Sequence, residues 1–383
     1  MTTSICGNKK QIKFLAEEKM AKESFFSPVI LFIFLSLAGI GAFVFVYSKD
    51  VEKQTAAALA EITSPVLQPV FKPASLDWEQ VLSPIPWEER DSHAIIIFRD
   101  KMWLMGGLDA NGLVAKPGLI EYEKAQHFSD VWSSQDGQNW QIVAKESPWQ
   151  NRRSIQVVEF KGKMWLMGGW GPEVGCRNDI WSSEDGIRWT KEIENAAWPA
   201  REGHQLAVFQ DRIWLMGGVR YDKHQLFNDV WYSDDGINWQ EAVASAGFSP
   251  RWDHAVAVFE NKLWLTGGMQ FGEKILNDVW YSENGKDWIL ATDSAPWSAR
   301  QGHGLVSFKD KLWVISRLDA PAVGGKNDVW YSENGTSWQK TDNDPIWTGR
   351  EDVAVIVFKD KIWVLGGMDK NWQWKNDIWY STF

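Results

Sequence analysis

Apolar and polar positions along most of the chain fall into short alternating or apolar blocks, and the blocks recur in a fixed order. One copy shows the pattern. Residues 254–259 read His-Ala-Val-Ala-Val-Phe, an apolar strand, and Glu260-Asn261 predicts a tight turn. Residues 262–268 form a second strand ending in Gly-Gly, and 277–282 a third. Asn284-Gly285 predicts a hairpin turn into a fourth strand at 288–291. The second-strand tryptophan recurs as Trp103, Trp165, Trp214, Trp264, Trp313 and Trp363, with steps of 62, 49, 50, 49 and 50. The third-strand aspartate recurs as Asp130, Asp179, Asp229, Asp278, Asp328 and Asp377, with steps of 49 or 50. Six copies of a four-stranded antiparallel unit predict an all-β, six-bladed propeller.

The ends of the repeat predict how the ring closes. The last copy stops after its third strand and lacks the fourth-strand tryptophan present as Trp140, Trp189, Trp239, Trp288 and Trp338. Asp77-Trp78, ahead of the first copy, supplies the missing strand. Pairing it with the last blade covers an otherwise open edge.

The region before the repeat divides differently. Residues 25–47 carry no charge, and 15 of the 23 are Phe, Leu, Ile or Val. That length and composition predict one transmembrane helix. A cleaved signal peptide has a shorter apolar run with a small-residue cleavage site close behind it. Lys9, Lys10, Lys13, Lys19 and Lys22 precede the span, whereas Lys49 and Lys53 follow it closely. The positive-inside rule therefore makes 1–24 a cytoplasmic tail and puts the rest outside the cytoplasm, in the periplasm if the source is bacterial. Residues 48–76, with Pro65, Pro69 and Pro73, read as a tether. The propeller then spans 77–383.

Composition narrows the function classes. The net charge is −10, from 40 Lys+Arg against 50 Asp+Glu. Residues 1–24 carry +2 and 48–76 carry 0, so the propeller carries −12, which excludes a phosphate-tracking nucleic-acid binder. Two cysteines, Cys6 and Cys176, exclude a disulfide scaffold or a four-cysteine zinc site. Of 27 tryptophans, 23 fall at repeat positions and read as packing between blades.

The succession Arg-x-x-His, apolar strand, Trp-x-x-Gly-Gly and Asn-Asp-Val-Trp resembles the kelch repeat over residues 77–383. Kelch propellers include protein-interaction modules, copper-radical galactose oxidases and a sialic-acid mutarotase, so the resemblance implies a fold more than an activity. The Ser-x-Asp-Gly-x-x-Trp turn at 134–140 is similar to the Asp box of sialidases but one residue short, and reads as a turn. Three positions depart from the pattern: Ser316-Arg317 replaces Gly-Gly, and Ile155 and Val353 replace the histidine.

Naming the strands of a blade A to D, the variable loops are the B–C loops 108–128, 170–177, 219–227, 269–276, 318–326 and 368–375, all on one face. Trp170, Trp372 and Trp374 lie in them, and Trp252 opens a strand A beside them. The 21-residue first loop carries Pro117, Leu119, Ile120, Tyr122 and Phe128, a partner-binding pattern. On the same face the kelch resemblance places Arg90, Arg152, Arg201, Arg251, Arg300 and Arg350 around the channel mouth. They either pair with acids such as the strand-C aspartates or fork onto a ligand carboxylate. His93, His204, His254 and His303 share one inner-strand position and read as satisfied residues, while His127 and His224 read as solvated loop residues.

These features predict a membrane-tethered interaction module or accessory subunit without enzymatic activity, metal or cofactor. Its partners would be the bilayer, through 25–47, and another membrane or exoplasmic protein. The second reading is a sugar-acid binder or mutarotase. There the arginines would clamp a carboxylate, Glu89, Asp91, Glu202, Asp253, Glu351 or Asp352 would move protons, and Trp87, Trp198 or Trp252 would wall the sugar. Galactose-oxidase chemistry is disfavoured because the propeller's sole cysteine is Cys176, and sialidase chemistry because no tyrosine lies at the inner-strand mouth.

Overall fold

A computed structural model describes residues 76–116, 119–316 and 327–382. The expected tail, membrane helix and nearly all of the tether lie outside the described residues, as does Pro117. Leu76 is described and fully buried, so it belongs to the propeller core and not to a tether. Among the described residues no helix is long and apolar enough to cross a membrane.

Six four-stranded antiparallel sheets make up the described chain. Their inner strands are Ala94–Phe98, Gln156–Phe160, Gln205–Phe209, Ala255–Phe259, Gly304–Phe308 and Ala354–Phe358. Each inner strand meets those of the two neighbouring blades, and the sixth meets the first, so the ring is closed. The N-terminal strand Asp77–Gln80 pairs with Ile378–Thr382 in the register Asp77↔Thr382 to Gln80↔Trp379, as the repeat arithmetic predicts. Trp78 then stands edge-on to Trp347 of the same blade, ring centroids 5.6 Å apart, over Leu76 and Trp379.

The A–B turns are tight because both turn residues take positive φ: Arg99 and Asp100 at 50° and 57°, Glu260 and Asn261 at 47° and 54°. The C–D turns are longer than the predicted two-residue hairpin. Ser233 pairs with Trp239, which leaves five residues between them. Asn284 acts there through its side chain, whose Oδ1 accepts the N–H groups of Lys286 and Asp287 at 2.9 Å. The glycine of each turn meets the strand-B tryptophan of the preceding blade. A Cβ on Gly236, at φ 84°, would stand 2.7 Å from the Trp165 ring.

The deepest repeated feature is an arginine in a pocket of polar partners. Arg90, Arg152, Arg201, Arg251, Arg300 and Arg350 are each no more than 2% exposed. Five grip the strand-C aspartate of their own blade with two hydrogen bonds of 2.5–3.1 Å, and Arg300 reaches Asp328 at 2.9 Å. Each also donates Nη1–H to the carbonyl that ends strand B, as Arg152 does to Gly168 at 3.1 Å. In five blades the second aspartate oxygen also accepts the indole N–H of the strand-C tryptophan two residues on.

The arginine backbone joins blade to blade. Gly107, Gly169, Gly218, Gly268 and Gly367 donate N–H to the carbonyls of Arg152, Arg201, Arg251, Arg300 and Arg90 at 2.8–3.0 Å. At the fifth-to-sixth junction, where the sequence has no Gly-Gly, Ser316 bonds through its side chain. Its Oγ donates to the Arg350 carbonyl at 2.7 Å and accepts the Arg350 N–H at 3.3 Å. The Ser316 hydroxyl thus adds a side-chain link to the backbone of the next blade.

Trp78→Ala should lower the unfolding free energy by about 3–5 kcal/mol, because it hollows the seam that closes the ring. Chemical denaturation measures it, and a loss under about 1 kcal/mol would show that this strand does not lock the blades.

Candidate functional site

The ring arginines lie beneath the mouth and not in it. Their guanidiniums are buried and hydrogen-bonded to aspartates and carbonyls, so of the two readings of the arginine ring the structure has pairing. Phe128 likewise serves the scaffold: it is buried with the Arg90 guanidinium 4.0 Å from its ring centroid, as Phe227 is with Arg201 at 3.9 Å. Trp374 is 1% exposed and packs with Leu108, Ala110, Ala125 and Met368, with Trp372 and Tyr122 at the edge. Its N–H donates to Asn111 Oδ1 at 3.1 Å. The first B–C loop therefore straps onto the last, across the closure of the ring. The backbones of Leu119 and Ile120 form a short strand with Val114–Lys116, and their side chains lie outside the described residues.

The histidines also differ from expectation. His127 is buried, its Nδ1 3.0 Å from the Ala125 carbonyl and its ring edge-on to Trp170. His93, His204 and His254 are buried against the first glycine of the preceding blade, without a hydrogen-bond partner on either ring nitrogen among the described residues. His303 alone of the four bonds Thr266, at 2.8 Å. Burial and then the nearby ring arginine push His93 and His204 down to about 3, so these rings are neutral. Trp87 and Trp198 are buried too and cannot wall a ligand. Glu89 lies outside the mouth, hydrogen-bonded by Asn111.

The mouth is built by the residue that follows each ring arginine. Asp91, Arg153, Glu202 and Trp252 each bridge to the first residue of their blade's B–C loop, and Glu351 does so in a two-residue sheet. Of these positions Arg153, Glu202, Trp252, Gln301 and Glu351 line one opening, and Asp91 is buried. The next residue in each blade, Ser92, Ser154, Gly203, Asp253, Gly302 and Asp352, has φ between 49° and 61°. This left-handed step turns the chain into the inner strand. It also links neighbouring blades: Ser92 N–H donates to Asp352, Ser154 to Ser92 and Gly302 to Asp253. Glycine takes this conformation freely, and Asp and Ser take it at modest strain.

Above this collar lies a cavity of about 690 Å³, large enough for a small organic ligand. Below it a channel of about 320 Å³ runs between the inner strands, sharing Ser92, Ser154, Asp253 and Asp352 with the cavity. Tyr122, Trp170, Tyr221 and Trp252 supply aromatic wall. Arg153 stands 4.1 Å from the Tyr122 ring centroid and 5.0 Å from that of Trp170, and its Nε donates to Glu202 at 2.9 Å. Across the opening, Gln301 donates to Glu351 at 2.8 Å.

Electrostatically the mouth is acidic. Burial, then the charge of Asp352, pushes Glu351 up to about 8. Burial raises Asp352 to about 6 against the opposing pull of Arg153 and Ser92. Burial and Asp352 hold Asp91 and Asp253 well above the usual carboxylate range. Among the described residues no three His, Cys, Asp or Glu side chains converge as ligands of one metal ion.

Comparison with known proteins agrees with the geometry. The family profile described as the KLHDC2/KLHL20/DRC7 Kelch-repeats domain matches residues 154–367, more than half of the chain. The chain belongs to the kelch-repeat family. A solved kelch-like structure, titled "Structure of YjhT", is similar to it with a TM-score of 0.59 at 15% identity, covering 78% of this chain and 95% of that one. That likeness concerns the fold alone. None of the curated proteins compared with this kelch propeller matches it.

The sequence singled out Trp170 and Trp252, which line this cavity of the kelch propeller, and named the acids only as proton-transfer alternatives. It missed Arg153, Gln301 and Tyr221. The signal was present: one position after an arginine found in all six copies, the residue type changes in nearly every blade.

The raised carboxyls make stability pH-dependent. Between the ordinary value of 4.5 and about 8, folded Glu351 holds a proton that the unfolded chain has lost, so stability falls as pH rises through that window. The melting temperature should drop from pH 5 to pH 8, and Glu351→Gln should flatten that slope. An unchanged slope would contradict the assignment.

Proposed function

We propose that the chain is a membrane-tethered kelch propeller that docks a partner protein on its B–C loop face. It would act as a scaffold or accessory subunit on the non-cytoplasmic side of the membrane, in the periplasm if the source is bacterial. The observation that carries this reading is the contrast between two neighbouring rings. The buried arginine ring is uniform in all six blades and serves the scaffold. The ring directly after it varies, faces an open cavity, and is bordered by the one long loop of the repeat. Binding surfaces are typically carried by such variable positions on a rigid frame. Residues 25–47 supply the membrane anchor, oriented by the lysines that precede them, and 48–75 the tether.

The sugar-acid reading is weaker on electrostatic grounds. The arginines it needs are held by aspartates. An anion in the mouth would face Asp253, Glu351 and Asp352, with Arg153 already against Glu202. Above the pH at which they ionise, these carboxyls repel an anion.

Extraction of the full-length protein from native membranes in mild detergent, followed by native mass spectrometry, tests the proposal. A stoichiometric complex is expected, and it should be lost in a Tyr122→Ala, Trp170→Ala variant that keeps its melting temperature. A bare monomer that titrates with sugar acids would contradict it.

A further inference from the structure

The mouth already contains one guanidinium and shows how it is held. Arg153 lies between the rings of Tyr122 and Trp170 with its charge against Glu202, itself 3% exposed. The opposite side of the same cavity has the same parts without the cation. Trp252 occupies the repeat position of Arg153, two blades on, and Tyr221 stands edge-on to it at 5.6 Å. Asp253, Glu351 and Asp352 line the wall there, and none of them forms an ion pair among the described residues. Asp91 stands with them, interacting with Asp352, Arg153 and Glu351. It is 2% exposed, and its Oδ1 has no hydrogen-bond partner among the described residues. Among the described residues the cavity's two cations are taken, Arg153 by Glu202 and Lys124 by Glu121, and burying the remaining carboxylates ionised is unfavourable without a further positive charge.

We infer that the mouth is a binding site for an organic cation, a guanidinium or primary ammonium group lodged between Trp252 and Tyr221 and the carboxylates of Asp253, Glu351 and Asp352. The form of the site selects this class. The carboxylates do not converge as metal ligands among the described residues, and aromatic faces attract a spread organic charge. A flat guanidinium also accepts two carboxylates at once. The cation is carried by a basic side chain of the docked partner or by a free polyamine. The first source rests on the interaction reading above, while the site itself does not depend on it.

Binding should favour the ionised carboxyls, so affinity should rise with pH between about 6 and 8, where Asp352 and Glu351 titrate. The charged and titratable groups around them are Arg153, Glu202, Asp91, Asp253, Tyr122 and Tyr221, with Glu121, Glu123, Lys124 and Asp222 at the exposed rim, where Lys124 pairs with Glu121 and Asp222 with Arg220. Arg153 and Glu202 form a pair and Tyr122 and Tyr221 are pushed above the ordinary tyrosine value, which leaves the acids to set the slope.

Isothermal titration of the full-length protein in non-ionic detergent tests the site with n-butylguanidinium, spermidine, an arginine-bearing tetrapeptide, and glucuronate as the anionic control. Saturable binding of the cations is expected, and about tenfold or more weaker binding by Asp253→Asn, Asp352→Asn. Ile142→Ala, on the exposed outer strand Trp140–Ala144, should leave it within about twofold. A peptide that binds at least about tenfold more tightly than butylguanidinium identifies a partner side chain as the source; spermidine binding as tightly as the peptide identifies a free polyamine. No cation heat at millimolar ligand, equal affinity in a folded double variant, or tighter binding of glucuronate would overturn the inference. A protein that co-purifies with a partner yet binds no cation refutes the cation site and leaves the interaction reading standing. Cation binding by a protein without any partner does the reverse.

Discussion

The buried arginine–aspartate pair is the constraint from which the rest of the propeller follows. A guanidinium taken out of water is tolerated only with a paired charge and hydrogen-bond acceptors, and here two carboxylate oxygens and a carbonyl provide them. The pair fixes strand A to strand C within a blade. The same arginine's carbonyl takes the glycine N–H of the blade before it. One residue thereby sets both the inside of the blade and its distance to the neighbour. In blade five, which has no Gly-Gly, the hydroxyl of Ser316 bonds the Arg350 backbone.

Fixing the arginine leaves its successor free to vary. The bridge to the B–C loop holds the backbone of that residue in place, and the left-handed step after it turns the chain inward. Side chains at these two positions are then directed by a rigid frame while owing nothing to the packing of the blades. This is why acids, an arginine, an amide and a tryptophan coexist around one opening. The carboxyls held there in protonated or strained ionisation are a destabilising feature that the scaffold tolerates.

Much of this was legible in the sequence. The spacing of Trp103 to Trp363 and of Asp130 to Asp377 carries the blade count, and the orphan Trp78 carries the closure. Both depend only on backbone periodicity. Pairing of the arginines with Asp130 and its counterparts was one of two readings, and spacing alone does not decide between them because burial decides it. The roles of Trp372 and Trp374 were not legible, since the first and last B–C loops meet only once the ring is closed. The mouth was half legible. Position-by-position variation marks it, but no residue type recurs there to be counted.

Two isosteric substitutions at pH 8, Asp179→Asn and Asp352→Asn, separate the two kinds of acid most directly by their unfolding free energies. The scaffold acid pairs with a buried arginine, so Asp179→Asn should destabilise by about 3–5 kcal/mol. The mouth acid faces other acids, so Asp352→Asn should be neutral or stabilising. Comparable destabilisation by both would contradict the division between a ring that holds the fold and a ring that is held for a ligand.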